Sequence, residues 1–326
     1  MRRGLRIAVA LAALGLCAPA MAQPAKTPLP PPAPNAAPPA VDQGNLDLAY
    51  GAYQRGFYLT AFAEASKRAA QNDPAAMTLL GELYAQGLGT GRDDSKAAQW
   101  FKLAAGHGDR NAMFALAMFN FEGRAGARNP EEGARLLAAA AKLGHPLAAY
   151  DLGLLYLQGQ QFPQDFKRAG ELFAAAAEVG NPEAQYALAT MYKEGRGVTK
   201  DLNKAMALMG QASVAGNVDA MVEYAIAEFN GEGTAKNEAA GADLFQKAAR
   251  RGSAIAQNRL ARVLMAGRGM PANPTEAIKW HLIAKAGGAG DIELDSFAAK
   301  QPQAVRDAAQ AAARKWQSTQ EALTPP

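Results

Sequence analysis

One local pattern returns every 36 residues, six times, with no insertion or deletion. A glycine closes the segment at Gly108, Gly144, Gly180, Gly216, Gly252 and Gly288, and a second recurs at Gly87, Gly123, Gly159, Gly195, Gly231 and Gly267. A helix-capping side chain keeps the same phase at Asp93, Asn129, Asp165, Asp201, Asn237 and Asn273. A period of this length means stacked helical hairpins, each unable to bury its apolar face without a neighbour. The expected fold is therefore all-α, a right-handed α-α superhelical solenoid of hairpin repeats.

One unit shows how the hairpin is encoded. Asn181 caps a first helix and Pro182 opens it, where a missing N–H costs nothing. Ala184, Tyr186, Ala187, Leu188, Met191 and Tyr192 then recur at spacings of three and four, which gives one apolar stripe. Gly195 stops that helix, Asp201 caps the second, and Gly216 ends it. Three rows of small residues run through the repeats: Ala104 and its equivalents, Ala76 and its equivalents, and Gly81, Ala117, Gly153, Ala189, Ala225 and Ala261. Small side chains let helices approach closely, so a large residue there overpacks the joint by about 1–3 kcal/mol.

The repeats are expected over about 45–72, 73–108, 109–144, 145–180, 181–216, 217–252 and 253–288, within a solenoid domain spanning 45–326. Residues 45–72 keep the terminal part of the pattern but use a tight Gln54-Arg55-Gly56 turn. Residues 289–318 read as carboxy-terminal capping helices, one over Asp291–Lys300 and one over Pro302–Gln317. Val305, Ala308, Ala312 and Trp316 mark the apolar face of the latter.

Ahead of the repeats, residues 1–22 read as a secretory signal peptide. Arg2, Arg3 and Arg6 precede an apolar run from Ile7 to Leu16, and Ala20-Met21-Ala22 forms a small-x-small cleavage site with the cut after Ala22. The run is too short for a membrane span of about 20 residues. Cys17, the only cysteine, follows Leu16 and sits poorly for lipid attachment. Residues 23–44 are a linker rich in proline and alanine, extended in character. The expected location is the periplasm or beyond. The chain carries 34 basic and 30 acidic residues, a formal +4. Three of those arginines belong to the signal, so the mature chain is close to neutral and lacks the basic footprint of a nucleic-acid binder.

The residues Ala184-Gln185-Tyr186-Ala187-Leu188-Ala189-Thr190-Met191-Tyr192, then Gly195-Arg196-Gly197-Val198, Asp201 and Lys204-Ala205, resemble the Sel-one-like repeat, a relative of the tetratricopeptide repeat. Leu79–Tyr84, Gly87-Leu88-Gly89, Lys96-Ala97 and Trp100 fit the same pattern, and the resemblance covers roughly residues 45–290. Two units depart from it. Asn120 and Glu228 stand where tyrosine is expected, with Phe121 and Phe229 one place later, so local packing there is expected to be rotated. A cysteine-rich branch of the family is credited with β-lactam chemistry; this chain lacks those cysteines.

No catalytic, cofactor or metal site is expected. His281 falls in an apolar row with Phe101, Leu137, Phe173, Met209 and Phe245 and reads as a half-buried packing residue. His145 holds a capping position, and His107 precedes the closing Gly108, where positive charge suits a helix end. The histidines make no set with ligand spacing and no triad. Gly87–Gly91 has the glycine density of a phosphate loop but lacks the Gly-Lys-Ser/Thr ending.

The functional expectation is a surface. In tetratricopeptide-like stacks the first helices line the concave side. By that resemblance the positions in phase with Thr78, Glu82 and Ala85 face inward. They are Phe114, Met118 and Phe121; Tyr150, Leu154 and Leu157; Tyr186, Thr190 and Lys193; and Val222, Ile226 and Phe229. Such a row suits an extended peptide or an amphipathic helix; equally, its members can pack between adjacent repeats. The leading expectation is a non-catalytic scaffold or regulator that binds a protein partner. The family resemblance implies an envelope protein or the periplasmic domain of a sensor. The alternative is a glycan module stacking sugars on Tyr150 and Tyr186. A hydrolase ranks last. Nucleic acid and integral membrane insertion are not expected.

Overall fold

The computed structural model describes residues 47–323, all helix and connecting turn. The signal peptide and linker lie outside the described residues. Two compact units divide the described chain between Asn181 and Pro182.

The amino-terminal unit opens with the short α1 (Leu48–Gln54) and α2 (Tyr58–Ala69), then three hairpins: α3/α4 (Pro74–Gln86, Asp94–Gly106), α5/α6 (Arg110–Glu122, Pro130–Lys142) and α7/α8 (Pro146–Gln158, Phe166–Glu178). The carboxy-terminal unit holds α9/α10 (Pro182–Glu194, Leu202–Val214), α11/α12 (Val218–Asn230, Glu238–Arg250) and α13/α14 (Ala254–Ala266, Pro274–Ala286). It closes with α15 (Ile292–Ala299) and α16 (Gln303–Leu323). Within each unit every helix packs on the next in chain order through the hairpins, the arrangement of a helical-repeat solenoid.

Capping sets the frame. The carboxylate of Asp93 accepts the Lys96 N–H at 2.9 Å, and Asp165, Asp201, Asn129, Asn237 and Asn273 do the same three residues ahead. Each bond satisfies one of the amide donors that a helix start leaves unpaired. Cations serve the other ends. The Arg110 guanidinium donates to the carbonyls of Leu143 and Gly144, and Arg251 donates to that of Gly216. These bonds tie one pair of neighbouring turns in each unit.

The stack joints leave no room for larger side chains. Gly269 adopts φ +76°, and a Cβ there would sit 2.2 Å from the Glu238 carbonyl oxygen. Ala125 holds the equivalent place in its own repeat at φ +63°, a left-handed conformation that costs an L-residue about 1–2 kcal/mol. The small rows are fully enclosed: Ala112, Ala148, Ala184, Ala220 and Ala256 are all buried.

Arginine–carboxylate pairs bridge successive repeats on the loop side. Arg124 reaches back to Asp94, and the bonded guanidinium holds that carboxyl at about 2. Arg268 reaches back to Glu238 in the same register within the second unit and likewise holds it at about 2.

Two expectations change at the carboxy-terminal end. On α16 the side chains wholly buried are Ala309 and Ala313, one place along from the expected Ala308 and Ala312; Ala308 is exposed. The methyls of Ala309 and Ala313 let α16 lie close on α14, while Trp316 reaches over to Trp280 with ring centres 5.1 Å apart. His281 is fully buried, not half-buried, and its Nε2 meets Asp295 Oδ1 at 2.8 Å. An imidazole replaces the apolar side chain of the other repeats, and α15 supplies it with a polar partner.

Candidate functional site

The inward row takes a different character in each unit. In the amino-terminal unit Met118, Phe121 and Leu154 are buried and belong to the core. Phe114, Tyr150 and Leu157 are half-buried and keep an exposed edge. Phe114 lies flat on the His145 imidazole, with centres 4.5 Å apart and planes at 18°. The Tyr150 ring packs 5.7 Å from Phe173. Leu157 presents its side chain where the Gln164 amide ties down its carbonyl.

His145 is neutral by construction. It caps α7 through Nδ1, which accepts the Ala148 N–H at 3.1 Å, so the ring proton belongs on Nε2. Burial, aided by the charge of Arg110, pushes its pKa down to about 4. A cap that must accept a hydrogen bond at Nδ1 cannot also be protonated there.

In the carboxy-terminal unit the inward positions of α9 and α13 join a polar lattice. Tyr186 donates its hydroxyl to Glu223 Oε1 at 2.9 Å, and Lys193 reaches Glu223 Oε2 at 2.7 Å. Burial, then the charge of Glu223, pushes the Tyr186 phenol well above its usual range, so it remains a donor. Thr190 bonds back to the Tyr186 carbonyl. Ile226 and Phe229 are half-buried, and Arg268 lies 4.7 Å above the Phe229 ring. In the last repeat Asn258 and Arg262 both hold Asp291 Oδ2, beside an open cleft of about 320 Å³ that Arg259 also lines. Burial alone raises the Asp291 carboxyl, but the Arg262, Asn258 and Leu294 N–H bonds outweigh it and hold the group at about 2.

Glu223 and Arg259 were absent from the sequence-predicted row. They occupy the phase of Leu79, Ala115, Asp151 and Ala187, one place beyond the inward positions. The available signal was a phase that is apolar at Leu79, Ala115 and Ala187 and charged at Asp151, Glu223 and Arg259.

The two displaced repeats have a packing answer. Ala97, Ala169, Ala205 and Ala277 hold one phase of the second helix, and glycine replaces alanine there at Gly133 and Gly241. These are the two repeats in which phenylalanine stands one place late. A Cβ at Gly133 would lie 2.8 Å from the Phe121 ring. At Gly241 it would lie 2.8 Å from the Ala225 carbonyl and 3.0 Å from Phe229 Cβ. The late phenylalanine swings onto the second helix, and the missing methyl makes its space. Phe121 therefore reads as core, and Phe229 as core on one side and arginine-covered on the other.

Among the described residues no group of histidine, cysteine and carboxylate side chains could hold a metal ion, and no helix is long and apolar enough to cross a membrane.

The Sel1 repeat profile matches residues 74–109, 110–145, 146–181, 182–217, 218–253 and 254–288. No curated protein matches the sequence. Among solved structures, a Sel1 repeat protein from Oxalobacter formigenes is 26% identical, with a TM-score of 0.63 over 72% of this chain and 94% of that one. The c5321 protein, described as a protective antigen of uropathogenic Escherichia coli strains with an SLR fold, is 23% identical with a TM-score of 0.53. That likeness covers 79% of this chain and 64% of the other, and shows the fold alone.

Proposed function

The chain belongs to the Sel1-repeat family, whose fold generally mediates protein–protein interaction, and we propose that it is a non-catalytic scaffold or regulator of the bacterial envelope. On this reading the first-helix face of the amino-terminal unit holds an apolar segment of a protein partner, as an extended peptide or amphipathic helix.

The observation that carries the reading is the exposed edge of Phe114, Tyr150 and Leu157 on α5 and α7. Three apolar side chains half in solvent on adjacent first helices are what remains once Met118, Phe121 and Leu154 are assigned to the core. The envelope part of the proposal rests on the signal-like residues 1–22. It is checked by sequencing the amino terminus of the protein recovered from cells, which should begin at Gln23.

The experiment for the face is affinity capture from envelope extract with the wild-type chain and with Tyr150→Ser plus Leu157→Ser. Both positions are partly exposed, so the fold survives. The account expects a discrete partner to be lost from the variant. Recovery of every partner at equal yield removes this face from the function. Binding to cell-wall sacculi in place of protein would favour the glycan alternative.

A further inference from the structure

The carboxy-terminal unit carries a cleft where its repeat period breaks. Two of its first helices follow the closing glycine at once: Asn217 after Gly216 caps α11, and Ser253 after Gly252 caps α13. After Gly288 the residues Ala289 and Gly290 intervene, and the cap falls on Asp291, so α15 begins two residues late. Ala289, Gly290 and Asp291 form one wall of the open cleft of about 320 Å³, and Ile255, Asn258, Arg259 and Arg262 of α13 form the other. The walls are fixed to each other. Asn258 donates to the Ala289 carbonyl at 3.4 Å and to Asp291 Oδ2 at 3.1 Å, and Arg262 Nε donates to the same oxygen at 2.6 Å.

The charges lining the cleft do not cancel. Asp291 is its only acid among the described residues, and both carboxylate oxygens are engaged. Oδ2 accepts from Asn258 and Arg262, and Oδ1 accepts from the amides of Glu293 and Leu294. Arg262 divides its guanidinium between Asp291 and Glu293. Arg259 stands outside this lattice and makes no hydrogen bond or ion pair among the described residues. No other repeat has a basic residue at its phase, which holds Leu79, Ala115, Asp151, Ala187 and Glu223. The cleft thus presents one uncompensated guanidinium together with Ile255, an aliphatic side chain 46% exposed.

We propose that this cleft binds a carboxylate, its two oxygens against the Arg259 guanidinium and its aliphatic carbons on Ile255. A guanidinium meets a carboxylate through two parallel N–H···O bonds, which a single amine cannot offer. One uncompensated positive charge matches a monoanion. A phosphate dianion would set its second charge beside Asp291 and Glu293. The volume lies at the lower end of small-ligand sites, roughly 300–1,000 Å³. It admits a terminal residue or a small organic acid, and no folded surface. Two sources share this chemistry: the carboxyl terminus of a peptide and a free organic acid.

The test is calorimetric titration of the full chain with N-acetyl-alanyl-leucine, its carboxamide, 4-methylpentanoate and inorganic phosphate. The expected result is saturable binding of a carboxylate probe, weakened by salt, and none of the carboxamide. Binding of the peptide alone makes the ligand a chain terminus; binding of 4-methylpentanoate makes it a small organic acid. Arg259→Gln should weaken binding at least about tenfold, the loss of a charge-assisted pair. Arg259→Lys keeps the charge but not the fork and should fall between wild type and Arg259→Gln. Ile255→Ser should weaken binding by a smaller factor. Both side chains are exposed, so melting curves should overlay. Tyr150→Ser should leave binding unchanged, which separates this cleft from the proposed partner face. Failure of both carboxylates to bind, equal binding of acid and carboxamide, tighter binding of phosphate, or an Arg259→Gln chain that binds like wild type overturns the proposal.

Discussion

The first-helix faces of the two units use the same repeat positions and differ in chemistry on α9 and α13, while α11 keeps half-buried Ile226 and Phe229. In the amino-terminal unit Phe114, Tyr150 and Leu157 leave an apolar surface backed by buried Met118 and Leu154. In the carboxy-terminal unit Tyr186, Lys193 and Glu223 bind one another, and Arg262 is tied to Asp291. A polar lattice whose members already satisfy one another has little to gain from a partner. An apolar edge in water gains from any cover, at roughly 25 cal/mol per Å². The repeat period thus specifies the scaffold, while side-chain choice at a few phases decides which part of it is receptive.

The comparison can be broken most sharply at its packing devices. Gly241→Ala pushes a methyl against the Ala225 carbonyl, a backbone atom that cannot rotate away. It should cost about 3 kcal/mol in chemical denaturation. Gly133→Ala meets only the edge of the Phe121 ring and should cost less, about 1–2 kcal/mol. Equal losses at the two sites would show that the late phenylalanines are not accommodated as described.

Acid should act through the amino-terminal unit. The folded pKa of His145 is depressed to about 4 from 6.5, so the unfolded chain binds more protons between those values. The stability it contributes is present above pH 6.5 and is lost as pH falls toward 4, by up to about 3 kcal/mol. His145→Asn keeps a capping side chain and should flatten this part of the pH profile. A profile unchanged by the substitution would contradict the neutral cap.

The lattice of the carboxy-terminal unit should respond to charge with a smaller effect. Glu223→Gln retains an acceptor for Tyr186 but discards the ionised one and the Lys193 pair, so a loss of about 1 kcal/mol is expected. The Tyr186 phenol should then titrate closer to its ordinary range, which ultraviolet absorbance reads directly. The smallest effect is a gain. Ala125→Gly relieves a left-handed alanine at φ +63° and should add about 0.5–1 kcal/mol after the entropy of the added glycine is counted.

Much of this was legible in the sequence because the signals were local and repeated. Asp93, Asn129 and Asp201 announce helix starts, the period announces the hairpins, and His145 is recognisable as a cap from its phase alone. Three features were not legible because they depend on pairs distant in the chain. The glycines at Gly133 and Gly241 are visible, but their reason lies with Phe121 and Phe229 on the preceding helix. The burial of His281 depends on Asp295 arriving from α15. The face of α16 is shifted by one residue because an alanine-rich helix has several nearly equivalent stripes, and only contact with α14 chooses between them. The division of the inward row into core and surface is of the same kind: spacing places Phe114 and Met118 on one stripe, but only packing separates a half-exposed ring from a buried thioether.

The central claim is that the α5–α7 first-helix face of the amino-terminal unit meets a partner. The most direct measurement places a photo-crosslinking benzoylphenylalanine in living cells at Tyr150, at Leu157 and, as a control on an exposed second-helix position, at Ala175. The account predicts one discrete adduct of the same mass from Tyr150 and Leu157 and none from Ala175. Adducts from Ala175 alone, or none from the two first-helix positions, would contradict it.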